Sequence, residues 1–355
     1  MGSLRFVVRS ILPYLLAAFA AANAIGAAPF TELKETSAQA VVHAAPKPWS
    51  DMIARIEPGA VLRLAPSKGR IGCPKGWMER ESGGFVCAKR LKATGEAGPR
   101  PSPVDRQDVL DGTAPYLVGK GGAKLFRSLR DVDLGRALTL LFRNSVLSTT
   151  GRLRRNGEEY LRTRRGWLAR AANATALPPP VTSLGVDVAE GAEVPEAVAL
   201  PDGGAAKVRA APIPGSLEPG EKWIAVDLEE QLLHAYVGER PVRLVPCSTG
   251  INGNTRPGSY RVQWKRRLQT LQLKRGHIRV EDVQWVMYYD KVNSIAIHTA
   301  YWHADFGKPT SHGCVNVPRD DARWLYEWSS PSPAPEDSET FAHDGARGTR
   351  VVVFE

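Results

Sequence analysis

Apolar residues in this chain come in short runs cut by glycine and proline. Between Ile56 and Leu91 they read PGAVLRLAP, GWMER and GGFVCAKRL. Runs of that length, bounded by turn formers, suit small strands joined by tight turns. The pattern returns in WIAVDLEEQLLHAYVG, where Ile224, Val226 and Leu228 alternate and the run resumes after Glu229-Glu230, as in a hairpin. PVRLVPCSTG, SYRVQW (after an Arg256-Pro257-Gly258 turn), VQWVMYY, SIAIHTA and TRVVVFE read as further strands. The exception is PRDDARWLYEW. Pro318 suits a first helical turn, Asp320 and Asp321 suit its positive end, and Ala322, Leu325 and Tyr326 share a face. The fold class expected is therefore mainly β, with one prominent helix near the C-terminus.

The 355 residues allow two to three domains. Arg5 and Arg9 followed by ILPYLLAAFAAANA form a signal peptide over residues 1–24, with Ala22-Asn23-Ala24 as its cleavage site and Gly26-Ala27-Ala28 as a second possibility. The apolar run is short for a membrane span, and no later stretch is apolar enough to be one. The mature chain is expected to be exported, to periplasm or cell wall, without an integral membrane segment. Residues 25–50 read as a flexible leader, 51–95 and 112–176 as two small β-barrel units, 177–219 as a linker and 220–355 as the ordered C-terminal domain. The stretch DVDLGRALTLLFRN inside the second unit has mixed periodicity. The two units share a Gly-Trp pair, Gly76-Trp77 and Gly166-Trp167, and resemble bacterial SH3-like modules.

Export changes how four cysteines are read, because oxidising compartments favour disulfides. Cys73 and Cys87 flank a Gly83-Gly84 turn, a geometry that one bond would close, adding roughly 3 kcal/mol in the chain-entropy model. Cys247 and Cys314 are left, either paired or both free; the count does not decide. Cys247 alternates with Val245 and so faces the core. The net charge is +10, with basic clusters at Arg152 to Arg170 and Lys265-Arg266-Arg267. No zinc-finger spacing, recognition helix or RNA-binding string accompanies them, so nucleic acid is not expected as a partner. An acidic polymer, an anionic surface or a solvated basic face fits better.

The most unusual stretch is HTAYWHADFGKPTSHGCVNV, which holds three of the chain's seven histidines and one cysteine. Structural zinc wants four N or S ligands, commonly with paired spacing, and no CxxC or HExxH spacing occurs. No metal is expected, although a zinc hydrolase is the reading that metal analysis would test. A cysteine nucleophile needs a base to take its proton. His298 lies in SIAIHTA opposite in direction to Ile295 and Ile297, facing a cleft. Cys314 follows Gly313, whose missing side chain opens the backbone to a substrate, and the Gly313 and Cys314 amides are candidate oxyanion donors. Trp285, Met287, Tyr288 and Tyr289 read as core and cleft walls, and His234 and His277 as surface.

The H…SHGCVN string resembles the signature of the L,D-transpeptidase, or YkuD, family. WIAVDLEEQLLHAY, Ser248-Thr249-Gly250, RPGSYRV, DDARWLYEW and TRVVVFE are similar to that family's other elements, in order, over about the last 135 residues. The resemblance implies a YkuD-like β-sandwich or barrel. It implies Cys314 as nucleophile and His298 as general base, held in its tautomer by a backbone carbonyl. Ser311 and His312 would shape the pocket, and the Gly313 and Cys314 amides would bind the oxyanion. Tyr301, Trp302, His303 and Asn316 are the substrate-binding candidates; Asn316 stands where some relatives carry Arg. No cofactor is implied. The implied partners are peptidoglycan stem peptides, with wall glycan a partner of the SH3-like units. The implied reaction is a 3→3 cross-link through a cysteine thioester. Carboxypeptidation, attachment of a wall protein and a non-catalytic wall-binding role are the alternatives. Lys265 to Arg279 is the expected lid.

Overall fold

A computed structural model of the chain describes residues 30, 32–94, 113–273, 278–344 and 346–355. The segment read as a signal peptide and His277 lie outside the described residues. Among those described, no helix is long and apolar enough to cross a membrane.

The first unit has seven strands: β1 (Glu32–Thr36), β2 (Ala40–His43), β3 (Met52–Ile56), β4 (Val61–Pro66), β5 (Trp77–Arg80), β6 (Phe85–Cys87) and β7 (Leu91–Ala93). It begins well inside the stretch expected to be a flexible leader, because β2 places Ala40 and Val42 fully buried in its core and β1 pairs with β4 and β7. The strands pair in the order β7–β1–β4–β5–β6–β2–β3. The second unit contains β8 (Ala114–Val118), β9 (Ala123–Phe126), the short helix α1 (Leu129–Asp133), β10 (Thr139–Leu141), β11 (Val146–Arg155), β12 (Glu158–Thr163), β13 (Leu168–Arg170) and β14 (Ala174–Ala176). Its order, β14–β8–β11–β12–β13–β9–β10, repeats that of the first unit strand for strand. Neither ladder closes on itself, so the expected barrels are open sheets.

Cys73 and Cys87 are bonded, tying the long loop after β4 to β6. In the second unit the matching connection is a two-residue turn, Asn156-Gly157, with φ of 52° and 78°, the left-handed pair that a tight hairpin requires. The basic cluster from Arg152 to Arg170 runs along this hairpin and its neighbours. Arg155 pairs there with Asp133 at 2.8 Å and Arg152 with Glu159 at 3.1 Å, which makes it a solvated, partly neutralised face.

The stretch expected as a linker is ordered. It holds β15 (Val186–Asp187), β16 (Ala197–Ala199) and β17 (Ala205–Lys207), and β15 adds an edge strand to the C-terminal domain. Single apolar residues, Val188, Val198 and Ala206, close over Leu232 and Leu244 on the sheet's outer face. The buried Asp321 carboxylate accepts from the Leu184 amide at 2.8 Å and the Gly185 amide at 3.1 Å. Arg209 holds the buried Asp227 at 2.7 Å. This strap also explains His234, which the sequence places on the surface. The strap and its own strand neighbours cover His234 completely, and burial pushes its imidazole down to about 4.

The C-terminal domain adds β18 (Lys222–Asp227), β19 (Leu232–Val237), β20 (Arg240–Pro246), β21 (Gly258–Arg261), β22 (Trp264–Leu273), β23 (Ile278–Asp290), β24 (Ile295–Thr299), β25 (Val315–Val317), α2 (Arg319–Trp328), β26 (Glu339–Phe341) and β27 (Arg350–Phe354). One sheet runs β15–β20–β19–β18–β27–β21; the other runs β26–β22–β23–β24–β25. Between them Ile224, Val226, Leu233 and Val245 meet Met287, Ile297 and Val315, with Ala322, Leu325 and Tyr326 of α2 in the same core. Cys247 is fully buried and unbonded in that core.

Both N-terminal units are fastened to the second sheet. β3 extends it by pairing with β26, and beside that seam the buried Arg80 guanidinium meets the buried Asp337 at 2.7 Å. β11 touches β23 at Val146 and Val280, and Arg164 meets the buried Asp282 at 2.8 Å.

Candidate active site

The parallel pairing of β24 with β25 sets the site. His298 stands opposite Asn316, and Ile297 opposite Val315. Side chains alternate along a strand, so Ala296 and His298 share a face with Cys314 and Asn316, while Ile295, Ile297, Val315 and Val317 share the other. The packing follows that rule. The second set lies in the core between the sheets, and Cys314 packs instead with Ala296, Tyr288 and Trp302 on the opposite face. The register sets Cys314 level with Ala296, two residues before His298, and its thiol lies 3.9 Å from the Ser294 carbonyl.

His298 is buried, and its Nδ1 donates to the Thr299 carbonyl at 2.9 Å. That bond fixes the tautomer and leaves Nε2 as the basic nitrogen. Burial lowers its pKa to about 4 against the opposing pull of the Thr299 carbonyl. Burial likewise raises the half-buried Cys314 thiol to about 11, opposed by a backbone hydrogen bond from Ala296. Both effects favour a neutral pair at rest.

The loop bearing Cys314 is pinned from below. Gly250 N–H donates to Thr255 Oγ1 at 2.8 Å, and that hydroxyl donates to the Gly313 carbonyl at 2.7 Å. Ser311 Oγ donates to the Cys314 carbonyl at 2.6 Å and accepts from the Gly313 amide at 3.0 Å. The Gly313 amide is therefore taken and is not a free oxyanion donor, whereas the Cys314 amide donates to nothing among the described residues. Gly313 itself, at φ 143°, holds a conformation that favours glycine. Thr255 and Gln231, whose Nε2 donates to Thr249 Oγ1 at 2.8 Å, are the supports that sequence reasoning missed. Neither carries a reactive group, and only the fold brings them under the loop.

Of the other expected residues, Trp302, His303, Ser311, His312 and Asn316 line one cleft with His298 and Cys314. The Asn316 carboxamide lies 2.9 Å from His303 Nε2, and His303 Nδ1 accepts from the Asp305 amide at 3.1 Å, so this pair forms a fixed rim. His312 is exposed at the mouth. Tyr301 does not reach the cleft: it is buried and donates its hydroxyl to the Glu281 carbonyl. The expected lid fails too. Lys265 to Leu273 belongs to β22, and Lys265 is buried, its Nζ donating to the carbonyls of Tyr326 at 2.8 Å and Ser329 at 2.6 Å. Residues 274–277 lie outside the described residues. Among the described residues no three His, Cys, Asp or Glu side chains converge where a metal ion could sit.

Residues 221–353 match the family model of the YkuD L,D-transpeptidase catalytic domain. This region of the chain is a YkuD-type domain. Similar solved structures include an L,D-transpeptidase from Mycobacterium smegmatis, at 18% identity over 38% of this chain and 59% of that one, with a TM-score of 0.31. Another, from Xylanimonas cellulosilytica, is 24% identical over 40% of this chain and 64% of that one, with a TM-score of 0.30. This chain thus spans less than two thirds of either structure. No match was found among curated proteins.

Proposed function

We propose that the chain is an exported L,D-transpeptidase that acts on peptidoglycan stem peptides through a thioester on Cys314. The observation that carries this reading is the shared face of His298 and Cys314, with the His298 tautomer fixed by the Thr299 carbonyl. On attack, sulfur bonds to the carbonyl carbon of the donor stem's third residue and its proton passes to His298 Nε2. The developing oxyanion is met by the Cys314 amide. The C–N bond to the terminal D-alanine breaks, and the imidazolium returns its proton to the leaving amine. An amine of a neighbouring stem then attacks the thioester, gives up its proton to His298, and leaves a 3→3 cross-link and a free thiol. Because the resting pair is neutral, the thiolate forms only as the carbonyl is engaged.

Export is supported by the Cys73–Cys87 bond, which belongs to an oxidising compartment. The test is digestion of isolated wall with the full chain, followed by mass analysis of the muropeptides. Dimers joined between third residues are expected. Cys314→Ser is expected to give none, and His298→Gln to slow their formation by about 10²–10⁴. Trimmed monomers alone would mean that water is the acceptor, and an unaltered muropeptide profile would overturn the reading.

A further inference from the structure

The cleft that holds Cys314 has a volume of about 1120 Å³, more than a single small ligand fills. One of its walls is not part of the YkuD domain. It is built by the second N-terminal unit, through the Lys120-Gly121-Gly122 turn between β8 and β9 and the Phe142-Arg143-Asn144 segment before β11. These two turns are tied to each other at the end of β8. The Asn144 amide donates to the Val118 carbonyl at 2.9 Å, and the Val118 amide to the Ser145 carbonyl at 2.9 Å. Asn173 Nδ2 donates to the Gly122 carbonyl at 3.0 Å, and the Gly119 amide to the Asn173 carbonyl at 2.7 Å. A Cβ on Gly121 would come within 2.5 Å of that Asn173 amide, and Gly122 has a φ of 67°. Side-chain-free residues thus let the turn close down on Asn173.

The charge of the wall is one-sided. The cleft is lined by three Lys or Arg side chains and one carboxylate, that of Asp305. Arg266 is matched by Glu339 at 2.8 Å. Lys120 and Arg143 are exposed and have no ion-pair partner among the described residues. Two unmatched cations on anchored turns, in a concave site, form an electrostatic field aimed at anions. An arginine fork is also the geometry that grips a carboxylate by two hydrogen bonds.

We propose that this wall is a carboxylate-binding subsite, and that Lys120 and Arg143 recognise the free carboxylates of an acidic peptide strand lying along the cleft. Resting on the function proposed above, that strand is a stem peptide. The second unit is then part of the substrate site and not only a spacer.

The test uses full-length protein carrying Cys314→Ala, so that binding is read without turnover. A fluorescent stem tetrapeptide with free carboxylates and its fully amidated counterpart are titrated at equilibrium, at low salt. Lys120→Ala and Arg143→Ala are each expected to weaken binding of the free-carboxylate peptide about tenfold, the size of one hydrogen bond to a charged group. The amidated peptide is expected to bind weakly and to be indifferent to both substitutions. Thermal unfolding of each variant checks that the surface changes leave the fold intact. Equal binding of the free-carboxylate peptide by parent and variants would overturn the inference. So would an equal loss with the amidated peptide, or no binding of either peptide. Failure of the proposed function reads differently: the chain with Cys314 intact would bind the peptide and leave it unchanged.

Discussion

The two N-terminal units have one topology and two fates. Each threads seven strands in the same order and ends its sixth strand in the same way, with a single turn of 3₁₀ helix over Ala88–Arg90 in one and Ala171–Asn173 in the other. The first unit carries a long, disulfide-tied loop, docks on β26 through the Arg80–Asp337 pair, and contributes no described residue to the cleft. The second replaces that loop with a tight turn, docks on β23, and builds a wall of the cleft. Equivalent folds therefore meet the C-terminal domain differently, the first through its end strand β3 and the second through β11, which lies inside its ladder between β8 and β12. A resemblance between the units says nothing about their roles.

The largest expected effect breaks the first unit's seam. Arg80→Ala strands Asp337 in a buried site, where burial already pushes its carboxyl above the usual range. Loss of about 3–5 kcal/mol is expected, read by chemical denaturation. The reactivity of Cys314 toward iodoacetamide at permissive temperature should be unchanged, because the first unit is remote from the cleft. A faster or slower thiol would show that the two seams are coupled.

The second unit's seam should respond to pH. Glu281, beside the Val146–Val280 contact, is buried, and burial with help from Asp282 raises its carboxyl to about 7. A group raised in the folded state stabilises below its unfolded value, and that stability is lost as pH rises from about 4.5 through about 7. Glu281→Gln is expected to remove this loss and to raise stability at pH 8 by on the order of 3 kcal/mol. His234 and His298 work in the opposite sense. Both are held near 4 by burial, so their neutral forms support the fold above 6.5 and cost stability as pH falls toward 4. Unfolding midpoints of His234→Gln and Glu281→Gln across pH 4–8 separate the two trends.

Reduction sharpens the contrast between the units. Opening Cys73–Cys87 should cost the first unit roughly 3 kcal/mol, and hydrogen exchange should speed up in β4 to β6 while β11 to β13 keep their protection. The smallest effects test the equivalence itself. Gly83 and Gly166 occupy the same hydrogen-bonded turn, where Gly83 N–H donates to Arg80 O and Gly166 N–H to Thr163 O, with φ of 90° and 79°. Nothing lies within 4 Å of a Cβ at either position. Alanine at each should cost about 1 kcal/mol from backbone strain alone. Unequal costs would mean that the turns are not equivalent.

That register explains what the sequence could and could not reveal. The Gly-Trp pairs suggest a repeat, but they align different positions: Trp77 opens β5, whereas Trp167 stands where Gly84 does in the first unit. Local pattern was enough for β18 to β21, β23, β24, β27 and α2, because each buries one face with its own period, whereas β22 was read as a lid and β26 was not seen. That His298 faces away from Ile295 and Ile297 was legible for the same reason, whereas the face of Cys314 depends on the pairing of β24 with β25. The strap was not, since Val188, Val198 and Ala206 are isolated apolar residues whose partners lie on β19 and β20. Lys265 reads as one of three consecutive basic residues, and only the fold reveals that two carbonyls of the helix end receive it. Tyr301 packs against Trp302 in the turn after β24, and the bond of its hydroxyl to the Glu281 carbonyl holds it away from the cleft. The cleft wall from the second unit depends on contacts more than 100 residues apart, such as Arg164 with Asp282, and no window of sequence contains them.

Under the proposed function, the Cys314 sulfur carries the acyl group in a site shared by residues 221–353 and the second unit. Intact-protein mass spectrometry of the full chain mixed with a stem tetrapeptide tests it most directly, with peptide mapping of the adduct. The account predicts a single adduct on Cys314 that weighs the donor less its terminal D-alanine and decays when an acceptor amine is added. No adduct, an adduct on Cys247, or one that forms equally in Cys314→Ser would contradict it.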